Sequence, residues 1–221
     1  MPTPDSSPST QQRRTYEAVR TAFRHSIRLV HRPTVTGLEN VPRSGPVIIA
    51  SNHRSFVDSV YLSALAPRQV SFMAKEEYFT GTGPKGFASR TFFEAVGSFP
   101  VKRGSAAGAV KALEEGEEIL REGRIFGIYP EGTRTRTGAI GAGKTGAAEL
   151  AIRTGATIVP VGIMGTERVM PVDRRFPRPV TFTVRFGEPI PAPARQQPAG
   201  PQRRALTEEI MTAIAGLIDD V

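Results

Sequence analysis

What most restricts the fold is a set of short apolar runs, each followed by turn residues or by a segment with helical spacing. Val47–Ala50, Val70–Met73, Ile125–Tyr129 and Thr157–Met164 read as buried strands, and Val180–Phe186 as a late one. Between the second and third, Ala106–Arg121 sets Val110, Leu113 and Leu120 at helical spacing beside a charged face. Between the third and fourth, Gly143–Thr154 reads as another helix, closed by Gly155 as its C-terminal cap. Strands alternating with helices need crossover connections, so the class is α/β, with one mainly parallel sheet flanked by helices. A length of 221 residues suits a single domain, and there is no internal repeat.

The two ends read differently from the middle. Residues 1–10, rich in Pro, Ser and Thr, are expected to be a disordered leader. Over residues 11–32, Tyr16, Val19, Phe23, Ile27 and Val30 recur every three or four positions among six arginines, which predicts a basic amphipathic helix. Residues 1–32 together, with six Arg against Asp5 and Glu17, carry +4 of the chain's net charge of +8. The helix either packs its apolar stripe on the domain or lies on anionic lipid, and His25 and His31 on it read as surface residues. Residues 33–191 are taken as the main domain, and 192–221 as a Pro-rich connector and a last helix. The stripe of that helix, Leu206, Ile210, Ile214, Leu217 and Ile218, is expected to dock back on the core, with lipid or a second subunit as the alternative. No apolar run approaches the roughly 18 residues that span a bilayer, and no secretory signal is visible, so the expected location is cytoplasmic.

Composition removes whole classes of chemistry. With no Cys there is no disulfide, no thiolate metal site and no thiol nucleophile, so any nucleophile must be oxygen or nitrogen. Ligands of open α/β sheets gather at the carboxyl ends of strands, which directs the search to the polar strings that follow them. The first is Asn52–Asp58, in which His53 and Asp58 are five apart. That spacing lets a His ahead of a helix meet an Asp in its first turn, and such an Asp fixes the tautomer and raises the basicity of the other ring nitrogen. The pair is a base without a nucleophile, suited to deprotonating a substrate hydroxyl.

The second string is Pro100–Gly104, with Lys102 and Arg103, and the third is Pro130–Gly138. In the third, Glu131, Gly132, Thr133 and Arg134 set exposed backbone N–H groups beside a hydroxyl and a guanidinium, the equipment of an anion site. Gly138–Thr145 matches the phosphate-loop pattern GxxxxGK[ST], but that loop should spring directly from a strand, and here Ile125–Tyr129 ends well upstream. A nucleotide-binding protein is therefore the distant alternative. No convincing set of three metal ligands can be assembled.

Together these residues resemble the 1-acylglycerol-3-phosphate acyltransferases, members of the glycerolipid acyltransferase family marked by Asn-His-x-x-x-x-Asp. The resemblance rests on four blocks in order: Asn52, His53 and Asp58; Gly97–Gly104; Glu131–Arg134; and Ile158–Gly162. It implies the glycerol-3-phosphate acyltransferase-like fold and an acyl transfer from a thioester to the sn-2 hydroxyl of lysophosphatidic acid, giving phosphatidic acid. Another lysophospholipid or lipid acceptor is the alternative. By the same resemblance His53 is the base and Asp58 its orienting partner. Lys102, Arg103, Gly132, Thr133 and Arg134 hold the phosphate with Lys144 as a further contact, and Glu131 braces the turn. No cofactor or metal is implied; acyl-CoA or an acyl carrier protein is the co-substrate. The expected partners are the lysophospholipid, the acyl donor and an anionic membrane surface, with no nucleic acid, and attachment to the inner face of the cell membrane is peripheral.

Overall fold

In the computed structural model, which describes residues 10–95, 97–101, 106–135, 139–171, 174, 176–197 and 199–219, the elements follow the alternation of the sequence. They are α1 (Thr10–His31), β1 (Thr34–Thr36), β2 (Val47–Ser51), α2 (Asp58–Leu65), β3 (Val70–Lys75), α3 (Gly83–Ala95) and β4 (Phe99–Val101). The second half adds α4 (Ala106–Arg121), β5 (Ile125–Ile128), α5 (Gly146–Thr154), β6 (Thr157–Met164), α6 (Thr166–Val169), β7 (Thr183–Phe186) and α7 (Ala199–Asp219). One sheet holds the strands in the order β1-β7-β6-β2-β5-β3-β4. Every neighbouring pair is parallel except β6 and β7. The late strand starts at Thr183 rather than Val180, and the fifth helix starts at Gly146 rather than Gly143.

β2 is buried at all five residues, as a central parallel strand must be when helices cover both faces. Val47 and Ile49 join the core on one face, with Val60, Tyr61, Leu62 and Leu65 of α2 and Ile27 of α1. Ile48 and Ala50 join the core on the other, with Ala147, Leu150 and Ala151 of α5 and Leu206, Ile210 and Ile214 of α7. The last helix thus docks on the core, and Gly162 of β6 makes this approach feasible, since a Cβ there would lie 2.8 Å from Leu217 Cβ. Gly155 is the left-handed cap of α5, at φ 68°.

Helix α2 follows β2 and packs on one face of the sheet, whereas α5 follows β5 and packs on the other. Since β2 and β5 are neighbours, their carboxyl ends flank the point where the winding reverses, the crevice in which α/β sheets bind ligands.

Helix α1 sits differently from a free basic helix. Ile27 is buried and Phe23 half-buried, but Arg20 and Arg24 also turn inward. Arg20 donates to the Ala66 carbonyl at 2.9 Å, and Arg24 to those of Ala64 and Ala66 at 2.7 and 2.8 Å. They supply donors to carbonyls that the end of α2 leaves unpaired, where positive charge also suits the helix dipole. His31, expected at the surface, is buried instead. Its Nδ1 donates to the Val180 carbonyl at 3.2 Å, and Nε2 lies 2.9 Å from the Tyr61 hydroxyl. Burial pushes the Tyr61 phenol up to about 12, so it keeps its proton at neutral pH and donates to Nε2. Among the described residues no helix is long and apolar enough to cross a membrane.

Candidate active site

The loop after β2 is closed by one carboxylate oxygen. Asp58, the fully buried first residue of α2, takes three donors on Oδ2: His53 Nδ1 at 2.9 Å and the backbone N–H groups of Arg54 and Ser55 at 2.7 Å each. The five-residue spacing therefore does what it predicts, and it leaves Nε2 as the nitrogen able to take a proton. His53 is itself buried, at 7% exposure.

Asn52 has a role that the motif alone does not reveal. Its amide donates to the Ile163 carbonyl at 2.9 Å and accepts from the Ile163 N–H at 2.8 Å. It continues the β2–β6 ladder with a side chain at the point where the backbone must leave to present His53. Asn52→Ala should strand two buried backbone groups and cost about 3 kcal/mol, lowering the melting temperature by about 9 °C. A calorimetric scan showing no change would remove this role.

The loop after β5 is tied to the first. Glu131 is buried, with Oε1 accepting the His53 N–H at 3.2 Å and Oε2 the Gly141 N–H at 3.0 Å. The Thr135 N–H donates to the His53 carbonyl at 2.9 Å. Gly132 turns left-handed at φ 74°, and a Cβ on it would lie 2.6 Å from Lys144 Nζ, so the Lys144 side chain covers this turn. Gly132, Thr133, Arg134 and Lys144 are exposed around the same strand end. Lys102 and Arg103 lie outside the described residues, but Val101, which precedes them, pairs with Lys75 at the same edge of the sheet. Lys75 is a strand-end cation that sequence reasoning passed over; it pairs with Glu77 at 3.6 Å.

The phosphate-loop match fails here on physical grounds. Two of its N–H groups are already engaged, Gly141 with the Glu131 carboxylate and Lys144 with the Pro130 carbonyl at 2.8 Å. A loop that binds a carboxylate of its own chain is poorly placed to cradle a triphosphate. Among the described residues no three His, Asp or Glu side chains group as a metal site.

Fold and site define an α/β protein with a buried His–Asp pair at the switch point of its sheet, beside an open turn rich in donors. The chain belongs to the acyltransferase family, whose model matches residues 32–164. It is 35% identical over 147 residues to a chloroplastic 1-acyl-sn-glycerol-3-phosphate acyltransferase of Arabidopsis thaliana, covering 66% of this chain and 40% of that protein. It is 33% identical over 132 residues to the 1-acyl-sn-glycerol-3-phosphate acyltransferase of Borreliella burgdorferi, covering 60% of this chain and 51% of that one. The chain thus spans between two fifths and about half the length of these relatives. The crystal structure of the 1-acyl-sn-glycerophosphate acyltransferase PlsC of Thermotoga maritima shares the fold, with a TM-score of 0.68 and 24% identity. That match covers 92% of this chain and 81% of that structure.

Proposed function

We propose that the protein transfers a fatty acyl group from acyl-CoA or an acyl carrier protein to the sn-2 hydroxyl of 1-acylglycerol-3-phosphate, giving phosphatidic acid. The observation that carries this reading is the buried His53–Asp58 bond at the switch point, within a family and among relatives named for that reaction. His53 Nε2 takes the hydroxyl proton as the oxygen attacks the thioester carbonyl. The tetrahedral intermediate then collapses, the C–S bond breaks, and the imidazolium returns the proton to the departing thiolate. Asp58 holds the ring tautomer. Arg134, Thr133, Gly132 and Lys144, with Lys102 and Arg103, hold the glycerol phosphate. Glu131 is spent on bracing the two loops. No metal or organic cofactor takes part.

Both substrates carry alkyl chains, and an apolar groove of about 560 Å³ starts beside the catalytic loop. It is lined by Phe23, Ile27, Phe56, Val60, Phe92 and Met170. Of its lining, Val30 and Phe92 are exposed, and on α1 and just after it Leu29, Arg28 and Arg32 are exposed as well. Apolar side chains among cations suit reversible attachment to an anionic membrane surface.

The test is transfer of a radiolabelled acyl group to lysophosphatidic acid in detergent micelles, from acyl-CoA and from acyl carrier protein in parallel. Labelled phosphatidic acid from either donor supports the reading. No product from either, alongside acylation of another lysophospholipid in the same panel, overturns the acceptor assignment.

A further inference from the structure

The imidazole of His53 has a neighbour that the motif does not include. Tyr129, the residue after β5, stacks on it with ring centroids 3.9 Å apart and planes 9° from parallel. Tyr129 is itself held. Its hydroxyl lies 2.9 Å from Ser59 Oγ on α2, and its ring also stacks on Phe72 of β3, at 5.4 Å and 21°. Because β5 runs between β2 and β3, the tyrosine is flanked by His53 from the loop after β2 and by Phe72 of β3.

The bond from Nδ1 to Asp58 fixes one atom of the imidazole and leaves the ring free to swing about that contact. Swinging would carry Nε2 away from the acceptor hydroxyl, and a displacement of about 1 Å at a reacting atom can cost on the order of 100-fold in rate. A parallel ring at 3.9 Å removes that freedom. Its electron-rich face also favours the cationic imidazole that forms when the hydroxyl proton is taken. We infer that Tyr129 is a positioning residue that holds the plane of the His53 ring by stacking, with Ser59 and Phe72 holding Tyr129 in turn. The inference rests on the acyl-transfer reading for its kinetic consequence and on geometry alone for the stack.

Two measurements on the full chain test it. In kinetics with lysophosphatidic acid and acyl-CoA, Tyr129→Leu should lower kcat about 30-fold with both KM values within about twofold of the parent. Tyr129→Phe, which keeps both stacks and loses the hydroxyl with its Ser59 contact, should restore kcat to within about threefold. Tyr129→Met supplies a bulkier flexible side chain should leucine impair folding, and it should behave as leucine does. In NMR spectra of histidine-labelled protein, the His53 ring protons should be shifted upfield by the tyrosine ring. That shift should be lost in Tyr129→Leu and retained in Tyr129→Phe. Parental kcat in the leucine or methionine variant, an equal loss in the phenylalanine variant, or a His53 resonance indifferent to all substitutions would overturn the inference. Failure of the parent protein to acylate any lysophospholipid would count against the acyl-transfer reading, and the resonances would still decide whether the stack exists.

Discussion

Purified His53→Ala should lose acyl transfer by about 10³-fold or more in kcat/KM while keeping its fold. The backbone of residue 53 holds the site together independently of its side chain, through the Glu131 carboxylate on its N–H and the Thr135 N–H on its carbonyl. Asp58 Oδ2 would still have the Arg54 and Ser55 N–H groups. The substitution therefore removes the proposed base and the stack on Tyr129 and leaves the two loops in place. The other histidines are held elsewhere: His31 is buried with both nitrogens engaged, and His25 lies exposed on α1. Turnover and thermal unfolding should be measured on the same preparation. Near-normal turnover with an intact melting transition would sink the mechanism.

The strands most legible in the sequence are those buried on both faces, although β7, with alternating burial, is also read from it. Val47–Ser51 and Thr157–Met164 are apolar because helices cover each side of them, so composition alone marks their place. β1 carries no such mark. Thr34–Thr36 is three residues long with exposed ends, and only pairing with Thr183–Arg185 makes it a strand. Helix α3 escaped notice because Gly83–Ala95 opens with Gly-Pro-Lys-Gly, residues that favour turns over helix interiors.

The site divides along the same line. The contact between His53 and Asp58 is local, set by five residues of chain and a helix start, and spacing suffices to see it. Asn52 meets Ile163 across 111 residues and Tyr129 meets His53 across the β2–β5 register, so neither contact could be read before strand order was known. The arginines of α1 mislead for a related reason. A basic face suggests solvent or lipid, but Arg20 and Arg24 find the carbonyls at the end of α2, some 40 residues away. His31 likewise finds Tyr61 at a separation of 30 residues.

Asp58→Asn should be nearly as damaging as loss of the base, lowering kcat/KM by about 10³-fold at neutral pH. The change is almost isosteric, and an amide oxygen can still accept from the Arg54 and Ser55 N–H groups, so the start of α2 should hold. What it removes is the charge that stabilises the imidazolium. Turning the amide's NH₂ into the Oδ2 position would set it against the Arg54 and Ser55 N–H groups as well as His53, so the oxygen is expected to stay there. The tautomer then survives, but the cation formed in the transition state faces a neutral group. That costs rate with little cost in stability. Asp58→Ala would differ, because it takes the acceptor from the buried Ser55 N–H and the part-buried Arg54 N–H and should also lose about 2 kcal/mol of stability. Comparing the two variants separates the electrostatic role from the structural one: parental activity in Asp58→Asn with loss only in Asp58→Ala would reduce Asp58 to a loop clasp.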